Sequence, residues 1–159
     1  MLKIGRCSLF KIYVDGDAFP NALKPILIKQ IERLKIKTIV VANKKINIGK
    51  SNLVEYIIVE QGADVADAKI VELCNEGDLV ITADIPLADF IISKDAHAID
   101  HRGELYSVDN IKQYLAMRNL MESIRESGEM TKGPKPFSIK DAELFANQLN
   151  AFLSKHYKH

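Results

Sequence analysis

The sequence has few cysteines, almost no net charge and no long hydrophobic run. Among 159 residues only Cys7 and Cys74 are cysteines, too few for a disulfide framework and too far apart for a zinc site, so a reducing compartment is expected. The formal net charge of +1 argues against a protein that coats polyanions. No apolar stretch approaches the roughly 20 residues that cross a membrane, and none resembles a signal peptide. We therefore expect a cytoplasmic protein without a membrane partner.

The composition is that of a folded globular protein. Hydrophobic residues make up 47% of the chain and charged residues 27%, which is ordinary for a protein that buries a core. A length of 159 residues corresponds to one domain. The sequence thus predicts a single domain that needs neither disulfides nor a structural metal.

Strand and helix patterns alternate along the first two thirds of the chain. The predicted strands are short apolar and β-branched runs at residues 9–15, 38–43, 54–60, 79–83 and 96–100. The predicted helices have apolar residues at helical spacing, over about residues 20–35, 63–76, 86–93, 108–127 and 138–156. This alternation predicts an α/β fold with right-handed crossovers and a central, mostly parallel sheet of about five strands.

Aspartates stand at the ends of several predicted strands. In a parallel sheet all strands end at the same edge, called the carboxyl edge from here on, and ligands bind beyond it. Asp78 begins its strand and therefore belongs to the opposite amino edge, roughly 20 Å away for a strand of six residues. The aspartates expected to meet at the carboxyl edge are Asp15, Asp17, Asp64, Asp67 and Asp84.

Such a group of carboxylates predicts a metal site. Like charges this close repel one another, and a fold rarely tolerates them unless a cation neutralises them. Oxygen ligands favour a hard ion, so we expect Mg²⁺ or Mn²⁺, and two such ions can drive phosphodiester cleavage. Thr82 lies on the same side of its strand as Asp84, where its hydroxyl could orient a metal-bound water, although a β-branched strand residue is the simpler explanation. The predicted catalytic residues are Asp15, Asp84 and Thr82, and the predicted metal ligands are Asp15, Asp17, Asp64, Asp67 and Asp84.

Each aspartate also has a structural explanation. Asp64 and Asp84 could cap the helices that follow them. Asp67 could favour the positive end of a helix dipole, and Asp17 could stabilise a turn. Asp15 is the hardest to explain in this way, because it ends a buried strand where desolvating a carboxylate is costly.

Five motifs are spread along the chain. They are VDGDAFPN (14–21), GADVADAKIV (62–71), GDLVITADIPLA (77–88), HRGELYS (101–107) and MRNLMESIRESGEMTKGPKPFS (117–138). Together they resemble the YaiI/YqxD family of uncharacterised bacterial proteins, over about residues 10–153. The resemblance implies a PIN-like (PilT N-terminus) fold, a three-layer α/β/α domain over residues 10–157 with C-terminal helices, preceded by an N-terminal extension at 1–9.

The resemblance also implies a site and an activity. PIN-like nucleases bind Mg²⁺ or Mn²⁺ through acidic residues at the carboxyl edge. Asp100, just before the HRGELYS motif, is either an extra ligand or has no role. Carried over by position, the acidic residues implicated are Asp15, Asp17, Asp64, Asp67 and Asp84.

Several basic side chains could contact a nucleic-acid backbone. Lys44 and Lys45 follow the second predicted strand. Arg118 and Arg125 lie seven residues apart on one face of a predicted helix, and Arg102 is in the loop before it. A solvated surface is the alternative for all of them. We predict that these five residues bind nucleic acid, RNA more than DNA.

Three functions are compatible with these residues. The leading hypothesis is a Mg²⁺- or Mn²⁺-dependent nuclease that hydrolyses phosphodiester bonds, RNA above all, with metal-activated water. The first alternative is a non-enzymatic nucleic-acid- or protein-binding module on the same fold. The second is a haloacid-dehalogenase-like phosphatase, because a strand that runs into Asp15 and Asp17 fits a nucleophile and an acid. Phe19 disfavours it, since that family usually has Thr or Val at this position.

Overall fold

The computed structural model describes residues 10–62, 64–128 and 136–156. Within these residues six strands form one sheet: β1 (Ile12–Asp15), β2 (Thr38–Ala42), β3 (Val54–Ile58), β4 (Leu79–Ile81), β5 (His97–Ile99) and β6 (Leu105–Tyr106). The α-helices of the same residues are α1 (Lys24–Leu34), α2 (Val65–Leu73), α3 (Ile85–Ser93), α4 (Ile111–Glu126) and α5 (Ile139–His156). None of these described helices combines the length and the apolar content needed to cross a membrane.

The strand order is β3-β2-β1-β4-β5-β6. Strands β1 to β5 are parallel, and β6 pairs antiparallel with β5. The prediction of a mostly parallel sheet is confirmed, but the described residues contain six strands and not five, because a strand of two residues leaves no pattern in the sequence. The order reverses between β1 and β4, and such a switch point opens a crevice at the carboxyl edge where ligands bind.

The helices cover both faces of the sheet. Alternate residues of β1 point to opposite faces, so Ile12 and Val14 pack on one side with α1 and α5, whereas Tyr13 packs on the other side with α2, α3 and α4. Burial of both faces explains why β2 is apolar along most of its length and buried throughout. The result is the three-layer α/β arrangement that the sequence predicts.

The connection from β2 to β3 is a loop over residues 43–53. Ile48 closes the core beneath it and is buried on the side of the sheet that carries α1. Gly49 adopts a φ of +138°, and a Cβ there would lie 2.7 Å from a side-chain carbon of Ile28, so the loop needs glycine at this point. Lys44 and Lys45, near the start of this loop, are exposed beside the end of β2.

Several helix and strand boundaries in the structure differ from those predicted from the sequence. Helix α4 begins at Ile111 and not at residue 108, because Ser107 and Asn110 form a turn with reciprocal backbone-to-side-chain hydrogen bonds of 2.8 and 3.2 Å. Strand β1 begins at Ile12. The predicted extension at residues 1–9, part of the linker at 129–135 and residue 157 lie outside the described residues.

Candidate functional site

Thr82 connects the two aspartates on either side of the switch point. Asp15 ends β1, and Thr82 directly follows β4 and is fully buried. The Thr82 hydroxyl donates a hydrogen bond of 3.1 Å to Asp15 Oδ2 and accepts one of 3.0 Å from the backbone N–H of Asp84. Thr82 is therefore a positioning residue for both aspartates, and its predicted contact with a metal-bound water stays a prediction.

Asp84 is held by the helix that follows it. Its Oδ1 accepts a hydrogen bond of 2.9 Å from the backbone N–H of Leu87, and Pro86 occupies the first turn of α3, where a missing N–H costs nothing. The capping explanation for Asp84 is thus confirmed. Capping also fixes the carboxylate beside Asp15 and Asp67, so the structural contact and a ligand role do not exclude each other.

Asp67, in the first turn of α2, interacts with both of these aspartates. The pKa of Asp67 is raised to about 7, chiefly by burial and then by the negative charges of Asp84 and Asp15 and a hydrogen bond with Asp84. Burial also raises the pKa of Asp15, with the charges of Asp84 and Asp17 adding to the effect and the Thr82 hydrogen bond opposing it. The three carboxyl groups Asp15, Asp67 and Asp84 form one electrostatic unit, called the acidic triad below.

Asp17 and Asp64 flank the acidic triad. Both carboxylate oxygens of Asp17 accept hydrogen bonds from the backbone N–H of Asn43, at 3.1 and 2.9 Å, so Asp17 ties the turn after β1 to the end of β2. Asp64 precedes α2 with a φ of +70°, and its exposed side chain makes no capping hydrogen bond to the described N–H groups of that helix. The capping explanation is therefore wrong for Asp64.

The donor chemistry of the acidic triad fits a hard divalent cation. Its members offer carboxylate oxygens, the ligands that Mg²⁺ and Mn²⁺ prefer. Burial raises the pKa of Asp15 and of Asp67, and the charge of Asp84 raises both in the same direction, an effect that a bound cation would reverse. In the arrangement seen over residues 10–62, 64–128 and 136–156, no three His, Cys, Asp or Glu side chains already enclose a metal position. Ligation would thus require side-chain rotation, for which the partly exposed Asp67 has room, whereas Asp15 and Asp84 are held by hydrogen bonds.

An open cavity of about 640 Å³ adjoins the acidic triad. It lies between α2, the start of α3 and Arg118 of α4. Phe90 is 62% exposed, although Leu87 and Ile91 of the same helix are buried. No sequence motif singles out Phe90. Its exposure could have been predicted from the helical spacing of α3, which places Phe90 away from the buried face formed by Leu87, Ala88 and Ile91. The lining residues are Asp64, Asp67, Ala68, Val71, Glu72, Asp84, Pro86, Leu87, Phe90 and Arg118.

The predicted nucleic-acid contacts are dispersed. Lys44 and Lys45 are exposed and line a second, smaller cavity of about 160 Å³ beside the ends of β2 and β3. Arg118 lines the larger cavity and donates a hydrogen bond of 3.1 Å to Glu122 one turn further along α4. Arg125 is exposed near the end of the same helix. Lys44 and Lys45 thus line one cavity and Arg118 another, and Arg125 lines neither of the two.

Arg102 and Asp100 have structural partners. Arg102 forms an ion pair of 2.8 Å with Asp141, and its guanidinium lies 5.8 Å from the centre of the Phe137 ring, so it anchors the start of α5. Asp100 Oδ1 accepts hydrogen bonds from the backbone N–H groups of Arg102 and Glu104, at 2.9 and 2.8 Å. Asp100 therefore shapes the turn between β5 and β6.

The comparison with solved structures gives a weak likeness. A homospermidine synthase from Legionella pneumophila, solved in complex with NAD, aligns with a TM-score of 0.45 and 12% identity over 80% of this chain and 36% of that one. This similarity carries no weight for fold or function.

The comparison of sequences is decisive for the family. Proteins named "UPF0178 protein" are 74% identical in Sulfurimonas denitrificans, over 91% of this chain and 96% of the relative, and 74% identical in a Sulfurovum species, over 91% and 97%. A relative from a Nitratiruptor species is 67% identical over 91% of this chain and 95% of its own. The family model described as "Uncharacterized BCR, YaiI/YqxD family" matches residues 13–155. The chain therefore belongs to the YaiI/YqxD family.

Proposed function

We propose that this protein is a Mg²⁺- or Mn²⁺-dependent nuclease with a PIN-like fold that hydrolyses phosphodiester bonds in RNA. The observation that carries the proposal is the acidic triad: Asp15, Asp67 and Asp84 meet at the switch point of a parallel sheet, where burial and the neighbouring carboxylates raise the pKa of Asp15 and of Asp67. Perturbed carboxyl groups at such a crevice are typical of functional sites. Donors usually stabilise the charged form of a purely structural aspartate, whereas the pKa of Asp15 is raised even though the Thr82 hydroxyl donates a hydrogen bond to it.

The residues of the chain hold two of the carboxylates in place before any ligand binds. The Thr82 hydroxyl fixes Asp15, and the Leu87 N–H fixes Asp84. Ligands fixed by neighbouring hydrogen bonds lose little conformational freedom when they bind a cation. A bound Mg²⁺ or Mn²⁺ would supply an activated water and stabilise the leaving oxygen.

The choice of RNA as substrate is supported by the resemblance to PIN-like nucleases. The exposed Lys44 and Lys45 beside the end of β2 add positive charge close to the carboxyl edge, where a phosphate backbone would pass. The paired Arg102 contributes to stability and is the weakest of the predicted backbone contacts.

Cleavage assays test the proposal. Labelled single-stranded RNA and DNA panels are incubated with Mg²⁺, with Mn²⁺ or with a chelator, and we expect metal-dependent cleavage of RNA. Asp15→Asn and Asp84→Asn should each lower the rate roughly a hundredfold or more, because each removes a charged ligand from the reacting centre. Asp95→Asn is the matched control: Asp95 is exposed at the amino edge with a φ of +64°, which asparagine also adopts.

The same assay separates the alternatives. Cleavage that is absent, or that survives unchanged in Asp15→Asn, contradicts the nuclease proposal. RNA binding that ignores both the chelator and the aspartate changes would point to a non-enzymatic module. A trapped aspartyl-phosphate on Asp15 would point to a phosphatase, although Asp17, which would have to act as the acid there, is bound to the Asn43 N–H through both oxygens.

A further inference from the structure

The cavity beside the acidic triad has an apolar wall that metal-dependent hydrolysis does not explain. Val71 of α2 and Pro86, Leu87 and Phe90 of α3 form the larger part of its apolar lining. Its volume of about 640 Å³ lies within the roughly 300–1,000 Å³ of cavities that bind small molecules. The cavity can therefore hold a flat group of moderate size next to the acidic triad.

Phe90 is the side chain best suited to contact such a group. It is 62% exposed, whereas Leu87 and Ile91 of the same helix are buried. An exposed aromatic ring at the mouth of a cavity offers a stacking surface, and every nucleobase has a π-face to stack on it.

The charge of the cavity argues against a phosphate inside it. Four carboxyl groups and one guanidinium line the cavity, and Arg118 already donates a hydrogen bond to Glu122. Without a cation this lining repels an anion, but its carboxylates accept hydrogen bonds from N–H donors. The preferred occupant is thus a neutral aromatic group that carries amino donors. The lining carboxyl groups belong to Asp64, Asp67, Glu72 and Asp84.

We propose that this cavity binds the base of an unpaired nucleotide, stacked on Phe90 with its amino edge towards the carboxylates. The assignment deepens the proposed function, because Asp67 and Asp84 belong to both the cavity and the acidic triad, so the bound base lies beside the phosphate to be cleaved. A base paired in a duplex cannot enter, and the substrate is therefore single-stranded. Bases with an exocyclic amino group bind more tightly than uracil, which lacks one.

Free nucleosides test the cavity without a phosphate, a metal or turnover. Saturation-transfer NMR with adenosine, guanosine, cytidine and uridine is recorded in the presence of a chelator. We expect transfer to the base protons of the first three and a weaker signal for uridine. Phe90→Ala should weaken binding roughly fivefold or more, because the stacking surface is lost. Phe90→Leu keeps apolar volume without a flat ring and should also weaken binding.

The control is Leu120→Ala, an equally exposed apolar side chain of the neighbouring helix α4 that does not line the cavity. Its signals should match those of the unchanged protein. Absence of transfer for all four nucleosides, or transfer that Phe90→Ala leaves unchanged, overturns the base site even if RNA is cleaved. Transfer that depends on Phe90 in a protein that cleaves nothing upholds the base site and contradicts the nuclease.

Discussion

Two partly or fully buried aspartates at opposite edges of the same sheet have opposite surroundings. Asp78, at the amino edge, is 2% exposed, and its two oxygens accept hydrogen bonds of 2.9 and 2.8 Å from the backbone N–H groups of Lys11 and Asn75. Asp15, at the carboxyl edge, receives one hydrogen bond from Thr82, and burial, together with the charges of Asp84 and Asp17, raises its pKa. The backbone thus stabilises the carboxylate of Asp78, whereas the carboxylate of Asp15 lies near further carboxylates.

The difference indicates which aspartate stabilises the fold and which is available for a ligand. Backbone donors stabilise the charged form of Asp78, so its burial is compensated within the protein. Within the acidic triad, Asp15 and Asp67 are less well compensated, because burial and the neighbouring carboxylates disfavour their charged forms and raise their pKa values. Their charged forms therefore cost stability unless a cation or a proton neutralises them. Substitution of Asp78 should therefore lower stability more than activity, whereas substitution of an aspartate of the acidic triad should lower activity more than stability.

The largest effect on stability is expected at Asp78. Asp78→Ala leaves the N–H groups of Lys11 and Asn75 without their acceptors and should lower the free energy of unfolding by about 3 kcal/mol. Asp15→Asn keeps an oxygen for the Thr82 hydroxyl and removes a destabilising charge, so its cost should stay below about 1 kcal/mol. Urea unfolding of both variants measures the difference. Equal losses in the free energy of unfolding of Asp78→Ala and Asp15→Asn would contradict the difference inferred between the two edges.

A smaller effect is expected at Thr82. Thr82→Val removes the hydroxyl that binds Asp15 and the Asp84 N–H, and should cost about 1–2 kcal/mol. The same hydrogen bond lowers the pKa of Asp15, so its loss should move the Asp15 titration to higher pH. Carbon-detected NMR of the carboxyl groups follows that titration. Thr82→Ser keeps the hydroxyl and serves as the control, and an unchanged Asp15 midpoint in Thr82→Val would refute the positioning role.

The edge on which each aspartate lies could be predicted from the sequence. Asp15 follows a buried strand and Asp78 precedes one, and in a parallel sheet this is sufficient to separate them. The pairing of β6 with β5 could not be predicted, because Leu105 and Tyr106 are too few to show a strand period.

The partners of the polar groups were also beyond the sequence. Asp17 binds the N–H of Asn43 from 26 residues away, and Arg102 binds Asp141 from 39 residues away. Such contacts cannot be predicted from the spacing of residues along the chain, since they depend on how the helices and strands pack. Sequence patterns thus locate the carboxyl edge, whereas the hydrogen bonds that orient its side chains emerge only in three dimensions.

The smallest effect on stability is expected at Asp67, and its size depends on pH. The pKa of Asp67 is raised to about 7 in the folded protein, so the folded state holds a proton that the unfolded state releases near pH 4. The contribution of Asp67 is therefore fully present below about pH 4 and is lost as the pH rises through about 7. Asp67→Asn should leave stability unchanged at about pH 4 and raise it at about pH 8, by on the order of 1 kcal/mol because solvent screens this partly exposed group.

Unfolding by urea at a series of pH values measures this change, with Asp95→Asn as a control that should follow the unchanged protein throughout. Added Mg²⁺ gives a second measurement, because a cation bound to the acidic triad would replace the proton that Asp67 releases as the pH rises. Added Mg²⁺ at about pH 8 should stabilise the unchanged protein more than Asp67→Asn. If the stability of Asp67→Asn relative to the unchanged protein instead falls as the pH rises, donors stabilise the charged form of Asp67 as they do that of Asp78. The two edges of the sheet would then not differ in the way inferred from their contacts.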